Sequence, residues 1–189
     1  MLKLASVLIF ITTLSFAQPK LGIWRGVLSL NPEKQIELPF NFEIKKLKGK
    51  HQLIIRNAQE QIVVDEIKLK KDSFNFKMPI FDTEFRTKLI GDSILTGLWI
   101  NHTKKENNSI AFTAKAGDSK RFPYVPGKPN TFYEGKWEVT FSPGTADSSK
   151  AIGMFTHANG SAYVYGTFLT ETGDYRYLDG MMHNGKLYL

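Results

Sequence analysis

The residues that could carry chemistry in this chain are few and widely spaced. Its four histidines share neither the two-residue nor the four-residue spacing that brings two metal ligands onto one face of a strand or helix. They are His51, His102, His157 and His183. The chain has no cysteine, which excludes disulfides, thiol redox chemistry and cysteine-ligated metals within these residues. The sequence therefore predicts neither a metal site nor a cofactor.

Two carboxylate pairs are the remaining candidates for catalysis, because hydrolysis of a glycosidic bond needs two acids on facing strands. The pairs are Asp82 with Glu84 and Asp174 with Asp179. Asp174 follows a Thr-Gly pair and Asp179 precedes a glycine, and both contexts favour a turn in which Asp bonds backbone amides. The motifs G-x-S-x-G and S-x-x-K are missing. We therefore assign no catalytic residue.

Tyrosines near the end of the chain offer a binding surface. They flank a predicted turn at residues 172–174, so a hairpin would place them in register on one side. The four are Tyr163, Tyr165, Tyr175 and Tyr177. Such rings stack on sugars or partner proteins, and they also pack across strands within a sheet. Both interpretations stay open, and Arg176 is predicted to point to the opposite face.

The first 17 residues have the pattern of a secretory signal peptide. A lysine at position 3 precedes an apolar run, and Ser15 and Ala17 supply small residues before Gln18. The run is too short to span a membrane, and no other run approaches that length. We expect an exported protein, periplasmic or extracellular, without a transmembrane anchor.

The charge of the chain is basic, with a formal net charge of +7. Much of the excess lies in the lysines of residues 45–50 and 68–71, where predicted strands end. Lysines there keep strand edges soluble, and no aromatic residues alternate with them as in a nucleic-acid surface. We therefore predict no nucleic-acid partner.

Alternation of apolar and polar residues with a period of two recurs between residues 22 and 116. Residues 36–44 place five apolar side chains on one face, with Pro39 indicating an edge or a bulge. Further β-rich runs cover residues 52–56 and 61–70, and turn residues recur about every ten positions. This pattern predicts an all-β fold, either an antiparallel sandwich or a small barrel.

A G-x-W motif followed by an alternating strand occurs twice, ending at Trp24 and at Trp137. We predict a first β unit over residues 18–118, a Pro/Gly-rich connector over 119–130 and a second unit over 131–189. Trp99, late in the first unit, has no counterpart in the second, and the last residues still have the pattern of a strand. We therefore expect the second unit to be incomplete and the chain to be the front of a longer protein. The three tryptophans are predicted to be structural.

Residues 166–180 read G-T-F-L-T-E-T-G-D-Y-R-Y-L-D-G. This run resembles a segment of exported TlpA/ResA-like thioredoxin-fold proteins, in which an all-β region precedes a thiol-disulfide oxidoreductase domain. The resemblance implies a structural role for Gly166, Asp174, Arg176 and Gly180. The redox domain and its C-x-x-C pair are missing from these residues, so the resemblance places no catalytic residue here.

Three functions follow from these patterns. The preferred one is a non-catalytic scaffold or partner-binding module from the front of an exported thioredoxin-like oxidoreductase. Its partner would be the C-terminal thioredoxin-like domain or another exported protein. The alternative is a free-standing β-sandwich that binds a carbohydrate or another small ligand, favoured if the tyrosines line a groove open to solvent. A hydrolase based on carboxylate pairs ranks third.

Overall fold

The computed structural model describes residues 18–123, 133–157 and 161–189. Strands dominate these residues, and no α-helix is found among them, so the predicted all-β fold is confirmed. In the described part of the chain, no helix is long and apolar enough to cross a membrane. The predicted signal peptide and residues 124–130 of the predicted connector lie outside the described residues.

The first sheet has nine antiparallel strands in the order β4-β3-β2-β1-β9-β8-β7-β6-β5. They are β1 Gly22–Asn31, β2 Ile36–Leu47, β3 Lys50–Asn57, β4 Glu60–Val64, β5 Ile67–Lys70, β6 Ser73–Lys77, β7 Thr83–Ile90, β8 Ile94–Asn101 and β9 Ser109–Ala116. The edge strands β4 and β5 are separated along the chain only by Asp65 and Glu66. The sheet therefore curls until its two edges adjoin, and it forms a nearly closed barrel. The β-rich run at 61–70 is thus two strands joined at a corner.

Inward-facing side chains, which occupy alternate positions along the strands, fill one end of this barrel. Trp24 stacks on Phe42 across the β1–β2 pair with ring centroids 6.0 Å apart, and both are fully buried. Phe74 and Leu95 are fully buried in the same cluster. Burying a large apolar side chain contributes about 1.5–3 kcal/mol, so this packed end anchors the barrel.

Pro39 lies in β2 where that strand extends beyond β3, whose pairing begins at Asn41. Its missing N–H therefore costs no hydrogen bond on that side. The predicted edge strand or bulge is wrong, because β2 is an interior strand with regular pairing to β1 at Pro39. Its carbonyl oxygen is free to accept a hydrogen bond from another part of the chain.

The second sheet is open. Its strands are β10 Gly135–Phe141, β11 Ser149–His157, β12 Tyr163–Thr170, β13 Gly173–Asp174, β14 Leu178–His183 and β15 Lys186–Tyr188. They follow the order β10-β11-β12-β14-β15, with the short β13 also paired to β12. This sheet forms about half a barrel, so its core is smaller than that of the first sheet.

The two G-x-W motifs adopt the same local structure. Gly22 and Gly135 have positive φ angles of 112° and 104°, which residues other than glycine rarely adopt. The indole N–H of Trp24 donates to the Lys20 carbonyl at 2.8 Å, and that of Trp137 donates to the Tyr133 carbonyl at 2.6 Å. Trp24 is fully buried, whereas Trp137 is 37% exposed because the half-barrel does not enclose it.

We predict that Gly97→Ala destabilises the barrel by about 1–3 kcal/mol. A Cβ atom at Gly97 would overlap the backbone carbonyl of Arg86 on the neighbouring strand, so β7 and β8 would have to separate. The free energy of unfolding in urea measures the effect. The control is Leu98→Ala, at an exposed position next to Gly97, which should change stability by about 0.5 kcal/mol or less. Equal effects of the two substitutions would contradict the close approach of the strands.

Candidate binding cavity between the two sheets

The end of the barrel opposite to Trp24 is hollow. A cavity of about 710 Å³ opens there, within the 300–1,000 Å³ typical of small-molecule sites. Most of its lining is apolar: Leu38, Phe40, Ile55, Ile62, Met78, Ile80, Phe81, Phe85, Trp99, Leu178 and Leu189. Barrels of about eight strands can hold one small ligand in this way.

Aromatic rings form the floor of the cavity. Phe85 stacks on Phe76 with ring centroids 4.4 Å apart and meets Phe112 edge-on at 4.8 Å. Phe40 stacks on Phe112 at 6.0 Å from the other side. Ring pairs of this kind add about 0.5–1.5 kcal/mol each beyond their burial, so the floor is rigid and its shape is pre-formed.

The walls of the cavity come from both sheets. Leu178, at the start of β14, and Leu189 face it from the second sheet. Ile80 and Phe81 line its rim between β6 and β7, and they are 62% and 58% exposed. Large apolar side chains with this exposure around a cavity are typical of a binding site.

Arg121 holds the two sheets together beside this cavity. Its Nη1 donates to the carboxylate of Asp179 in β14 and, at 3.0 Å, to the carbonyl of the same residue. Its Nε donates to the Pro39 carbonyl at 2.9 Å, and its own carbonyl accepts from Arg25 Nε at 2.8 Å. Burial lowers the pKa of the guanidinium, and the charge of Asp179 opposes that change. Arg121 thus joins β1, β2 and β14.

Two further contacts join the second sheet to the first, in the region around Arg121 that we call the junction. Arg176 forms an ion pair with Glu60 of β4, with 2.9 Å between Nη2 and Oε1. The side-chain amide of Asn57 donates to the Tyr177 carbonyl. The segment 166–180, singled out from the sequence, therefore includes the residues through which the second sheet contacts the first. The sequence predicted a turn role for Asp179, but its carboxylate serves this junction instead.

The prediction that the four tyrosines lie in register on one side of a hairpin is wrong. Tyr163 and Tyr165 lie on one face of β12, opposite Met181 and Asp179 of β14. The chain leaves the sheet at residues 175–177, where Arg176 has a φ of 53°. Tyr175 consequently stacks on Phe141, with ring centroids 5.6 Å apart, and contacts Phe168 on the other face of β12.

All four tyrosines are nevertheless exposed, with relative exposures between 40% and 53%. Asp174 does take the predicted turn role, since its Oδ1 accepts the backbone N–H of Arg176 at 3.1 Å. Gly166 and Gly180 lie where a Cβ would overlap the Phe155 ring or the Tyr188 carbonyl, so both glycines are needed for close packing.

His157 and His102 each contact one carboxylate, at two different places in the structure. His157 contacts Glu134 through Nδ1, a pair that the sequence did not indicate because 23 residues separate the two. His102 Nε2 lies 3.1 Å from Glu84 Oε1, while Asp82 pairs with Lys77. Within the described ranges, no group of three or more His, Cys, Asp or Glu side chains could hold a metal ion.

Comparison of the chain with protein-family models, with curated proteins and with solved structures found no match.

We predict that Arg121→Met lowers the free energy of unfolding by about 2–3 kcal/mol, because it leaves the Asp179 carboxylate partly buried without its partner. Urea unfolding measures the loss. The control is Arg86→Met, which breaks an exposed ion pair with Glu84 and should cost less than about 1 kcal/mol. The double variant Arg121→Met with Asp179→Asn should recover part of the loss. If Arg121→Met costs no more than the control, the ion pair does not hold the sheets together.

Proposed function

We propose that this protein is a non-catalytic binding module whose hollow barrel end holds a small, predominantly apolar ligand. The observation that carries the proposal is the 710 Å³ cavity lined by inward-facing side chains of the barrel and closed on one side by the second sheet. It corresponds to the small-ligand alternative derived from the sequence. The proposed binding site is therefore the cavity at the mouth of the barrel and not the surface formed by the tyrosines.

The energetics favour this use of the cavity. Transfer of a ligand from water into an apolar site is favourable by about 25 cal/mol per Å² of apolar surface buried. The aromatic floor is packed in advance, so little conformational entropy is lost when a ligand enters. The rim residues Ile80 and Phe81 would lose their exposure to water at the same time.

We predict that Ile62→Trp abolishes binding of Nile red, a neutral apolar dye whose fluorescence rises in apolar surroundings. Ile62 of β4 lines the cavity, so an indole there would fill it. Val63, the next residue, is 41% exposed and points outward because side chains alternate along a strand. Val63→Trp is thus the matched control and should bind the dye like the parent protein.

Circular dichroism and thermal unfolding must show that both variants are folded. Saturable binding by the parent and by Val63→Trp, with loss in Ile62→Trp, would support the proposal. Absence of binding to the parent protein, or equal binding by both variants, would contradict it.

A second candidate function is the scaffold of an exported thioredoxin-like protein. Two points favour it: residues 166–180 resemble such proteins, and within this run Arg176 pairs with Glu60 of the first sheet while Asp179 pairs with Arg121, which follows that sheet. A run that joins two sheets suits a module that positions another domain. Export of the protein and a thioredoxin-like partner domain belong to this proposal, and ligand binding in the cavity is compatible with it.

We predict that the genomic reading frame continues after Leu189 into a domain with a C-x-x-C pair, and that the protein recovered from outside the cytoplasm begins at Gln18. Sequencing of the coding region and N-terminal sequencing of the purified protein test the two statements. A stop codon directly after Leu189 would contradict the partner domain. An intact Met1 would contradict cleavage of the predicted signal peptide, and failure to recover the protein outside the cytoplasm would contradict export.

A further inference from the structure

We infer that the ligand of the cavity is an uncharged, predominantly apolar molecule with one oxygen that hydrogen-bonds to Thr83. This inference rests on the proposed binding function and specifies the chemical class of the ligand. It places fatty alcohols, ketones and esters within the class and ionised fatty acids outside it.

The first observation concerns the two buried polar side chains of the barrel. Thr87 and Thr83 are 4% and 5% exposed, and they lie on the same inward face of β7. The hydroxyl of Thr87 donates to the Phe74 carbonyl. The hydroxyl of Thr83 has no hydrogen-bond partner among the described residues, and Thr83 lines the cavity. The Thr83 oxygen is not among the fully buried side-chain atoms that lack a partner, so it faces the open space of the cavity and can hydrogen-bond to a molecule that enters it.

The second observation concerns the neighbouring strand. Thr83 pairs with Asn101 across β7 and β8, and Trp99 is the next inward-facing residue on β8. Asn101 Oδ1 is already occupied, since it accepts from the backbone N–H and the hydroxyl of Thr103. Trp99 also lines the cavity. Asn57 and Thr103, two other uncharged polar residues of the lining, already donate hydrogen bonds within the protein, to the Tyr177 carbonyl and to Asn101 Oδ1.

The third observation concerns charge. Three charged side chains line the cavity, and each has an oppositely charged partner. Arg56 pairs with Glu43 at 2.8 Å, Asp82 with Lys77 at 3.4 Å, and Arg121 with Asp179. The hydrogen bond from Arg56 lowers the pKa of Glu43, so this carboxylate stays ionised and keeps its partner. A charged ligand would thus lose its hydration without gaining a free counter-charge.

The geometry therefore favours one hydrogen bond at Thr83 and an apolar chain or ring system over the aromatic floor. A hydroxyl or carbonyl oxygen satisfies Thr83 because the threonine hydroxyl both donates and accepts. A carboxylate satisfies it equally well but carries a charge into an apolar space.

Displacement of Nile red by 1-octanol, 1-chlorooctane and octanoate at pH 7.5 tests the inference. The three molecules share chain length and differ in the end group. We expect 1-octanol to bind about fivefold more tightly than 1-chlorooctane, which lacks a good hydrogen-bonding group. Octanoate should bind at least about tenfold more weakly than 1-octanol. Each added methylene in the alcohols should strengthen binding about fourfold until the cavity is full.

Two variants test whether the Thr83 hydroxyl causes the tighter binding of 1-octanol. Thr83→Val keeps the shape of the side chain and removes the oxygen, so 1-octanol should lose its fivefold advantage over 1-chlorooctane. Thr83→Ser keeps the hydroxyl and should retain the advantage. Both variants should bind Nile red, which shows that they are folded and that the cavity is intact.

The outcomes separate this inference from the proposed function. If octanoate binds as tightly as 1-octanol, or if Thr83→Val keeps the preference for the alcohol, the ligand class is wrong while the cavity remains a binding site. If neither Nile red nor any member of the series binds the parent protein, the proposed function and this inference are both overturned.

Discussion

The arrangement of the two sheets depends on one partly buried cation, Arg121. Arg121 donates to Asp179 of β14 and to the Pro39 carbonyl of β2, and its own carbonyl accepts from Arg25 of β1. The Pro39 carbonyl is available because β2 continues past the end of β3. A partly buried guanidinium without these partners would be destabilising, so the second sheet is held where Asp179 can reach it.

The cavity follows from this placement. The barrel packs tightly around Trp24 and Phe42, but the side chains at its other end leave a cavity between them. The second sheet, held by Arg121, brings Leu178 and Leu189 to that opening. The same contacts therefore both join the sheets and complete the wall of the candidate site. Thr83 adds a polar contact to the site, because it lines the cavity and its hydroxyl has no hydrogen-bond partner among the described residues.

Much of the fold could be predicted because strand formation is local. The alternation in residues 36–44 identifies an inward face. Pro39 does not mark an edge strand, because β2 lies between β1 and β3, but it does lie where β2 extends beyond β3. The candidate site could not be found in this way. The tyrosines were expected to share one face, but the chain leaves the sheet at Arg176 and places Tyr175 on the other side of β12. The alternation of residue types does not predict that one residue other than glycine, here Arg176, adopts a positive φ angle.

The sequence by itself determined the all-β class, the repeated G-x-W motif and the absence of cysteine chemistry, because each depends on residue type and short spacing. It also drew attention to residues 166–180, although not to their role at the junction. Only the tertiary structure decided which side chains meet: Arg121 lies 58 residues from Asp179, and Thr83 lies 16 from Trp99. The physical reason is that closure of a nine-stranded sheet and burial of an ion pair depend on long-range register. That register is set by the packing of the whole barrel and not by any one strand.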